Sequence, residues 1–484
     1  MTATLPPGAL RGLPGPGDRD PGDSVEALMR RMEELCAGAV DSFEVAAGLE
    51  ADGLNDEGAA QYGYPHVFAL AEDLYERTER RPANPEAPPN PWAGEVWRQL
   101  LRGMLFGLPG LCYATATPAL TKPGGSVVLM LSLLLSWSTS QGVAYLAYVR
   151  LGRGNRPAAA HVMRRGLTVA GLVVVPVIVV AGGLLDAGGA ATALAVAQCV
   201  YLLTATVALV SGAEPWLLLA LLPGAVVSTV QLALGGPVRP VVWIAWAVTI
   251  AATVGLAVHR TAASGPAGRA SAGGRVEWAD VTMAVPYALF GLLAGGLLTF
   301  STVSTLLGRS RPSHATAVAV LALSLSMGFA EWILVSYRRR MHRALLSRSS
   351  VESFARAARA TLVAAVAAYL FVLTGLAVAI AGLAGLSGYL PRDPAGSAAT
   401  PWIAGGYLGL GGAFFVALLL QSCGQIRAVL VTCASALVVE VLAAEAVASS
   451  AGNPWMVQFA VACALFWALL AYAFIVLGRA TSHR

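Results

Sequence analysis

The sequence predicts an all-α integral membrane protein with about twelve transmembrane helices in two parallel six-helix bundles, preceded by a small helical region. Composition is the first reason, since 56% of the 484 residues are hydrophobic and 12% are charged, with a mean hydropathy of +0.66. Soluble domains carry about 25% charged residues. The second reason is a series of apolar runs long enough to cross a bilayer, and the third is an internal repeat.

The region before the first apolar run has three parts. Residues 1–22 are rich in proline and glycine and are predicted to be a disordered tail. Residues 23–80 are predicted to form a small helical cytoplasmic region, with a helix from the capping-box residue Asp23 to about Glu50. Residues 81–102 are predicted to be a proline-rich spacer that ends in an interfacial segment.

Twelve candidate spans follow, and they divide into two sets of six. The first bundle is predicted within 103–258 and the second within 283–478, joined by a cytoplasmic linker at 259–282 and followed by a tail at 479–484. The first span contains two prolines and is the least regular. The predicted spans are 103–121, 126–149, 167–185, 190–210, 215–235, 238–258, 283–308, 315–337, 360–387, 402–421, 428–449 and 455–478.

Basic residues alternate between the connections of these spans. The even-numbered connections contain 16 Lys and Arg residues, whereas the odd-numbered connections contain five. Positively charged loops stay in the cytoplasm. We therefore expect a multi-pass protein of the cell (plasma) membrane with both termini in the cytoplasm.

An internal repeat relates the two halves. A shift of 188 residues aligns 103–150 with 291–338 without a gap, and ten of the 48 positions are identical. Because each half has six spans that start inside, the halves would be parallel repeats about an axis along the membrane normal.

Both repeats begin with two glycines four residues apart, Gly103 with Gly107 and Gly291 with Gly295. This spacing lets helix backbones approach closely in a membrane. Ordinary glycine richness is the equal alternative, because the chain contains 52 glycines.

The combination of twelve helices, two equivalent halves and basic loops after helices 2 and 8 resembles the exporters of the MOP superfamily. The stretches that carry the resemblance are LSWSTSQGVAYLAYVR at 135–150 and LSLSMGFAEWILVSYR at 323–338. This superfamily includes the multidrug MATE pumps and the flippases of polysaccharides and lipid-linked oligosaccharides, and the glycan flippases look most similar. The resemblance implies alternating access between two bundles, with a cavity lined by helices 1, 2, 7 and 8.

One carboxylate, Glu331, stands out as a candidate on the substrate path, because an ionisable group at membrane depth usually faces a cavity or a partner. It shares a helical stripe with Ser324, and it could also take up a proton to couple transport. In the alternative, Glu331 lies near the inner interface and is solvated or paired with an arginine. The matching stripe of helix 2 contains four hydroxyl side chains, and we expect the two stripes to form a polar seam for sugar hydroxyls: Ser132, Ser136, Thr139 and Ser140.

A second carboxylate, Glu440, lies near the middle of the eleventh span and is a further path candidate, with an interhelical hydrogen bond as the alternative. Glycan flippases often hold a lipid pyrophosphate with basic residues inside the cavity. The middle of each predicted span here lacks Lys and Arg, so anion contacts would come from the inner rim. The candidates are Arg98, Arg102, Arg150 and Arg338.

The sequence predicts a transporter rather than an enzyme. Phosphate-loop and zinc motifs are missing, and the six cysteines and six histidines are scattered, so we expect no cofactor, metal or nucleic-acid partner. The expected partners are membrane lipids and a glycan or lipid-linked glycan, with a cytoplasmic protein bound by residues 23–80 as a further candidate. Two alternatives stay open: a non-transporting scaffold of a glycan-assembly complex, and a polytopic glycosyltransferase or polymerase, which the short outer loop at 388–401 disfavours.

Overall fold

The structure, a computed structural model, describes most of the chain in two compact units, Met1–Pro91 and Trp92–Arg484. The predicted tails 1–22 and 479–484, and the predicted spacer up to residue 95, lie outside the described residues. The described ranges are 25–39, 41–78, 96–116, 122–235, 237–262, 278–306, 313–347, 351–386, 400–448 and 453–478.

The N-terminal unit is a group of short helices around its own hydrophobic core. The predicted continuous helix from Asp23 to Glu50 is wrong, because the described part of this segment forms three helices that are interrupted around Met32 and before Ser42. Leu49 and Leu74 are fully buried in the core, so even this small unit packs specifically. The helices are α1 (Val25–Arg31), α2 (Glu33–Gly38), α3 (Ser42–Ala51), α4 (Asp56–Gln61) and α5 (Val67–Arg77).

A polar contact fixes the approach to α5. The hydroxyl of Tyr64 donates to Asp73 at 2.5 Å, and Arg77 binds the same carboxylate at 2.7 Å. The hydrogen bond to Asp73 raises the pKa of Tyr64, because it favours the protonated phenol.

The described part of the membrane unit is helical apart from short connections, and 11 of its helices are long and apolar enough to cross a membrane. The prediction of an all-α integral membrane protein is therefore confirmed. The first bundle contains α6 (Val96–Gly107), α7 (Pro109–Ala116), α8 (Pro123–Gly152), α9 (Arg156–Leu184), α10 (Gly189–Val210), α11 (Glu214–Leu234) and α12 (Pro240–Ala262). The second bundle contains α13 (Trp278–Leu306), α14 (His314–Ser347), α15 (Val351–Leu386), α16 (Thr400–Ser422), α17 (Ile426–Ala448) and α18 (Pro454–Val476).

The predicted first span is wrong as one continuous helix. It is divided at Leu108 into α6 and α7, because Pro109 has no backbone N–H and its ring crowds the preceding turn. The helical part also begins earlier than predicted, at Val96. Residues 117–121 of the predicted span lie outside the described residues.

The two bundles have the same packing pattern. In the first bundle α8 packs on α9 and α10, α10 packs on α12, and α11 packs on α12 and on the α6–α7 pair. In the second bundle α14 packs on α15 and α16, α16 packs on α18, and α17 packs on α18 and α13. The main helix contacts of one bundle thus recur between the counterpart helices of the other, with the α9–α12 contact as an exception, which confirms the predicted pair of equivalent bundles.

Candidate functional site at the interface of the two bundles

The bundles meet through two reciprocal helix pairs, α6 with α14 and α8 with α13. A Cβ atom added at Gly103 would lie 2.7 Å from the carbonyl oxygen of Leu325, and one added at Gly291 would lie 3.1 Å from the Cα of Ser138. Glycine permits this approach because it has no side chain. The predicted role of the repeat glycines in close helix packing is confirmed at both pairs.

An ion-pair cluster joins α6 to α14. Arg102 binds Glu331 of the second bundle at 2.8 Å, and its Nε and Nη2 atoms bind Glu214 of α11 at 2.9 and 2.7 Å. Arg98 binds the other oxygen of Glu214 at 2.7 Å. The four charges sum to zero, and the carboxylate of Glu214 also lies at the N-terminus of α11, where the helix dipole favours an anion.

A second ion pair joins α8 to α13. Arg150 binds Asp280 at 2.5 Å, and both side chains are largely buried, at 14% and 13% exposed. Between one and two turns further along, the rings of Tyr145 and Tyr287 stack with their centroids 4.0 Å apart. Both helix pairs therefore carry one ion pair across the interface.

The ion pairs between the bundles lie toward one end of the membrane unit. The contacts of the interface include an ion pair at the arginine-rich end, which we define as the end of the membrane unit that carries Arg150 and Arg338, and glycine contacts as far along as Leu134 on α8 and Leu321 on α14. Beyond that level, Ser132 of α8 donates to a carbonyl of α10 in its own bundle. The interface is thus closed at the end that the charge pattern predicts to be cytoplasmic.

The structure does not bring the predicted polar seam together. Ser132 donates to the carbonyl of Ala195 at 2.6 Å, and Ser136 lies beside Cys199, so both fully buried side chains face α10 within the first bundle. Thr139 and Ser324 donate to carbonyl groups of their own helices. The buried hydroxyl of Ser140 has no hydrogen-bond partner among the described residues.

Glu440 also lies away from the interface. It is 2% exposed and sits inside the second bundle, near the hydroxyl of Tyr407, which bonds to Ser301 at 2.7 Å. This position differs from the predicted substrate path, because the helix that carries it packs on α13 and α18 rather than on the first bundle.

The four predicted inner-rim arginines all bind protein groups. Arg98, Arg102 and Arg150 are in the ion pairs described above, and Arg338 donates to the carbonyl of Ser422 at the end of α16. Sequence reasoning missed two of their partners, Glu214 and Asp280. The available signal was that each carboxylate stands in the first turn of a helix at a loop predicted to be cytoplasmic.

Within the described residues, no group of three or more His, Cys, Asp or Glu side chains could hold a metal ion. The chemistry that the interface shows is ion pairing between arginines of the first bundle and carboxylates of the second.

Comparisons with known proteins give one distant likeness. Neither the models of known protein families nor the curated proteins match the sequence. Among solved structures, the chain is similar to the inward-facing conformation of a multidrug resistance MATE family transporter of the MOP superfamily, with a TM-score of 0.42 and 14% identity. The likeness covers 79% of this chain and 99% of that chain. The helices of this chain and their packing identify it as a multi-pass, all-α membrane protein built from two equivalent bundles.

Proposed function

We propose that the protein is a membrane transporter of the exporter or flippase type, which works by alternating access between its two bundles. The observation that carries the proposal is the interface. Two reciprocal helix pairs, each with one ion pair, join bundles that have separate hydrophobic cores. Such an arrangement suits rigid-body motion, because the bundles can separate without exposing either core.

The ion pairs suit a gate at the arginine-rich end. Arg102 with Glu331 and Arg150 with Asp280 each join one bundle to the other, so opening at this end requires both pairs to separate. Ion pairs that are partly or largely buried give modest net stability, because the cost of desolvation offsets much of their attraction. They therefore define a closed state that hydration of the four groups can release.

For the substrate we propose a polysaccharide or lipid-linked glycan. The support is chemical: the interface carboxylates Glu331 and Asp280, and Glu214 beside them, are neutralised by arginines, and Glu440 lies inside the second bundle. A pump for cationic compounds needs carboxylates that are free to bind the cation. A neutral or anionic polyhydroxyl substrate fits this charge distribution better.

A disulfide lock tests the proposal. The Cβ atom of a residue at position 142 would lie 3.3 Å from the Cβ of Ala288, so the pair Gly142→Cys and Ala288→Cys in a cysteine-free background should bridge the bundles. In proteoliposomes, oxidation should abolish transbilayer movement of a fluorescent lipid-linked oligosaccharide, and reduction should restore it.

The matched control places the same chemistry inside one bundle. A Cβ at position 409 would lie 3.4 Å from that of Ala462, so Gly409→Cys with Ala462→Cys links α16 to α18. This bridge should leave movement unchanged. Full movement with the 142–288 bridge closed would overturn alternating access at this interface. If the unlocked protein moves no labelled glycan, the second candidate is favoured, a scaffold that acts through its folded N-terminal unit.

A further inference from the structure

The N-terminal unit displays two phenylalanines in contact on its surface. The rings of Phe43 and Phe68 meet edge to face with centroids 6.2 Å apart, although the two residues are 69% and 49% exposed. The ring of His66 lies 6.3 Å from that of Phe68. The hydrophobic core of the unit does not include these two phenylalanines, which face solvent instead.

The pair is held in a fixed position. Phe43 is the second residue of α3 and Phe68 the second residue of α5, and these helices pack on each other. Asp41 caps α3 by accepting the N–H of Glu44 at 2.9 Å, and His66 caps α5 through its Nδ1 atom. A partner would therefore meet a preorganised surface, which lowers the entropic cost of binding.

The surroundings of the pair are strongly acidic. Residues 25–78 contain twelve Asp and Glu side chains and three arginines. Two of these arginines bind acids of the unit itself, at Asp52 and Asp73. Exposed Glu50 lies two turns from Phe43 on α3, and exposed Glu72 and Glu76 continue the row of Phe68 on α5.

We propose that this surface, defined by Phe43, Phe68, Glu72 and Glu76, docks a basic segment of another protein. The segment would place an apolar side chain on the two rings and Lys or Arg side chains along the acidic rows, and a guanidinium group would also stack favourably on an aromatic face. Nucleic acids and anionic lipid surfaces do not fit, because both carry the same sign of charge as the unit.

Photocrosslinking of the full-length protein in its native cells tests the proposal. p-Benzoylphenylalanine replaces Phe68 in the test protein and exposed Gln61 of α4 in the control. We expect one predominant protein product from position 68 and none from position 61. The crosslinked peptide, identified by mass spectrometry, should contain several Lys or Arg residues around an apolar residue.

A charge-reversed protein makes the test specific. Glu72→Lys with Glu76→Lys, in the protein that carries the probe at position 68, should lower the yield at least about tenfold, because both exposed changes leave the core intact. Neutral exchange of exposed Glu57 to Gln should not change the yield. An unchanged yield after charge reversal would overturn the proposal, as would crosslinks to lipid, to nucleic acid, to an acidic peptide, to a second copy of this chain, or to nothing.

Discussion

The two bundles share one packing pattern but differ in their interiors. Among the described residues, the buried side chains of the second bundle form one continuous hydrophobic cluster, whereas those of the first bundle fall into three. The broken helix α6–α7 belongs to the first bundle, and its counterpart α13 is continuous. The two halves of the repeat therefore share their main helix neighbours but differ in whether the hydrophobic core is continuous.

The bundles differ more sharply in charge. At the interface the first bundle supplies the cations, Arg102 and Arg150, and the second supplies the anions, Glu331 and Asp280. Arg338 is the repeat counterpart of Arg150, yet it binds a carbonyl within its own bundle. Equivalent backbones thus carry an asymmetry of charge that the side chains alone create.

The largest expected effect comes from the buried acid of the first bundle. Replacing Glu214 by Leu leaves Arg98 and Arg102 without their main partner in a site where the carboxylate is fully buried. Because Arg98 is 39% exposed and Arg102 keeps Glu331, we expect the free energy of unfolding in detergent to fall by about 2–3 kcal/mol. Glu352→Gln, an exposed change in the second bundle, should stay within about 0.5 kcal/mol. Equal losses of unfolding free energy for the two variants would contradict a stabilising role of the ion-pair cluster around Glu214.

The next effect separates the two equivalent arginines. Arg150→Gln removes an ion pair between the bundles, and charged hydrogen bonds contribute about 1.5–3 kcal/mol, so the open population should rise about ten- to hundredfold. Alkylation of Ser138→Cys by a membrane-impermeant maleimide from the arginine-rich side would report this opening. Arg338→Gln should leave the alkylation rate nearly unchanged. A rise as large as that of Arg150→Gln would show that the different partners of the two arginines do not affect opening of the interface.

The smallest effect compares the repeat glycines. Gly103→Ala should lower the free energy of unfolding by about 1–3 kcal/mol, because its new methyl group meets backbone atoms at 2.7 and 2.9 Å. Gly291→Ala should cost less, since the nearest atom lies at 3.1 Å. Gly375→Ala, where nothing lies within 4 Å, serves as the control in denaturant midpoints. The reverse order at the two repeat positions would mean that the α6–α14 contact is the looser one.

Much of the fold could be predicted from the sequence, because long apolar helices and a 188-residue repeat are properties of the chain itself. The break at Leu108 is a local feature that Pro109 indicates, but the long apolar run around it favoured the prediction of one continuous span. Periodicity correctly placed Ser132 and Ser136 on one stripe of α8. It could not show that this stripe faces α10, because the choice of neighbour depends on the packing of the whole bundle.

The candidate site was harder to predict for the same reason. Glu331 was recognisable as a charge at membrane depth and Arg102 as an arginine of the inner rim, but 229 residues separate them. Glu214 is adjacent to neither in sequence, and its role depends on α11 beginning beside α6. Charges can be found from sequence, whereas their pairing requires the tertiary arrangement.

The division of charge at the interface has a consequence for any state in which the bundles part. The wall contributed by the first bundle would then display guanidinium groups, and the facing wall would display carboxylates. A charged group between them would meet a field directed across the opening, in which an anion is attracted toward the wall of the first bundle.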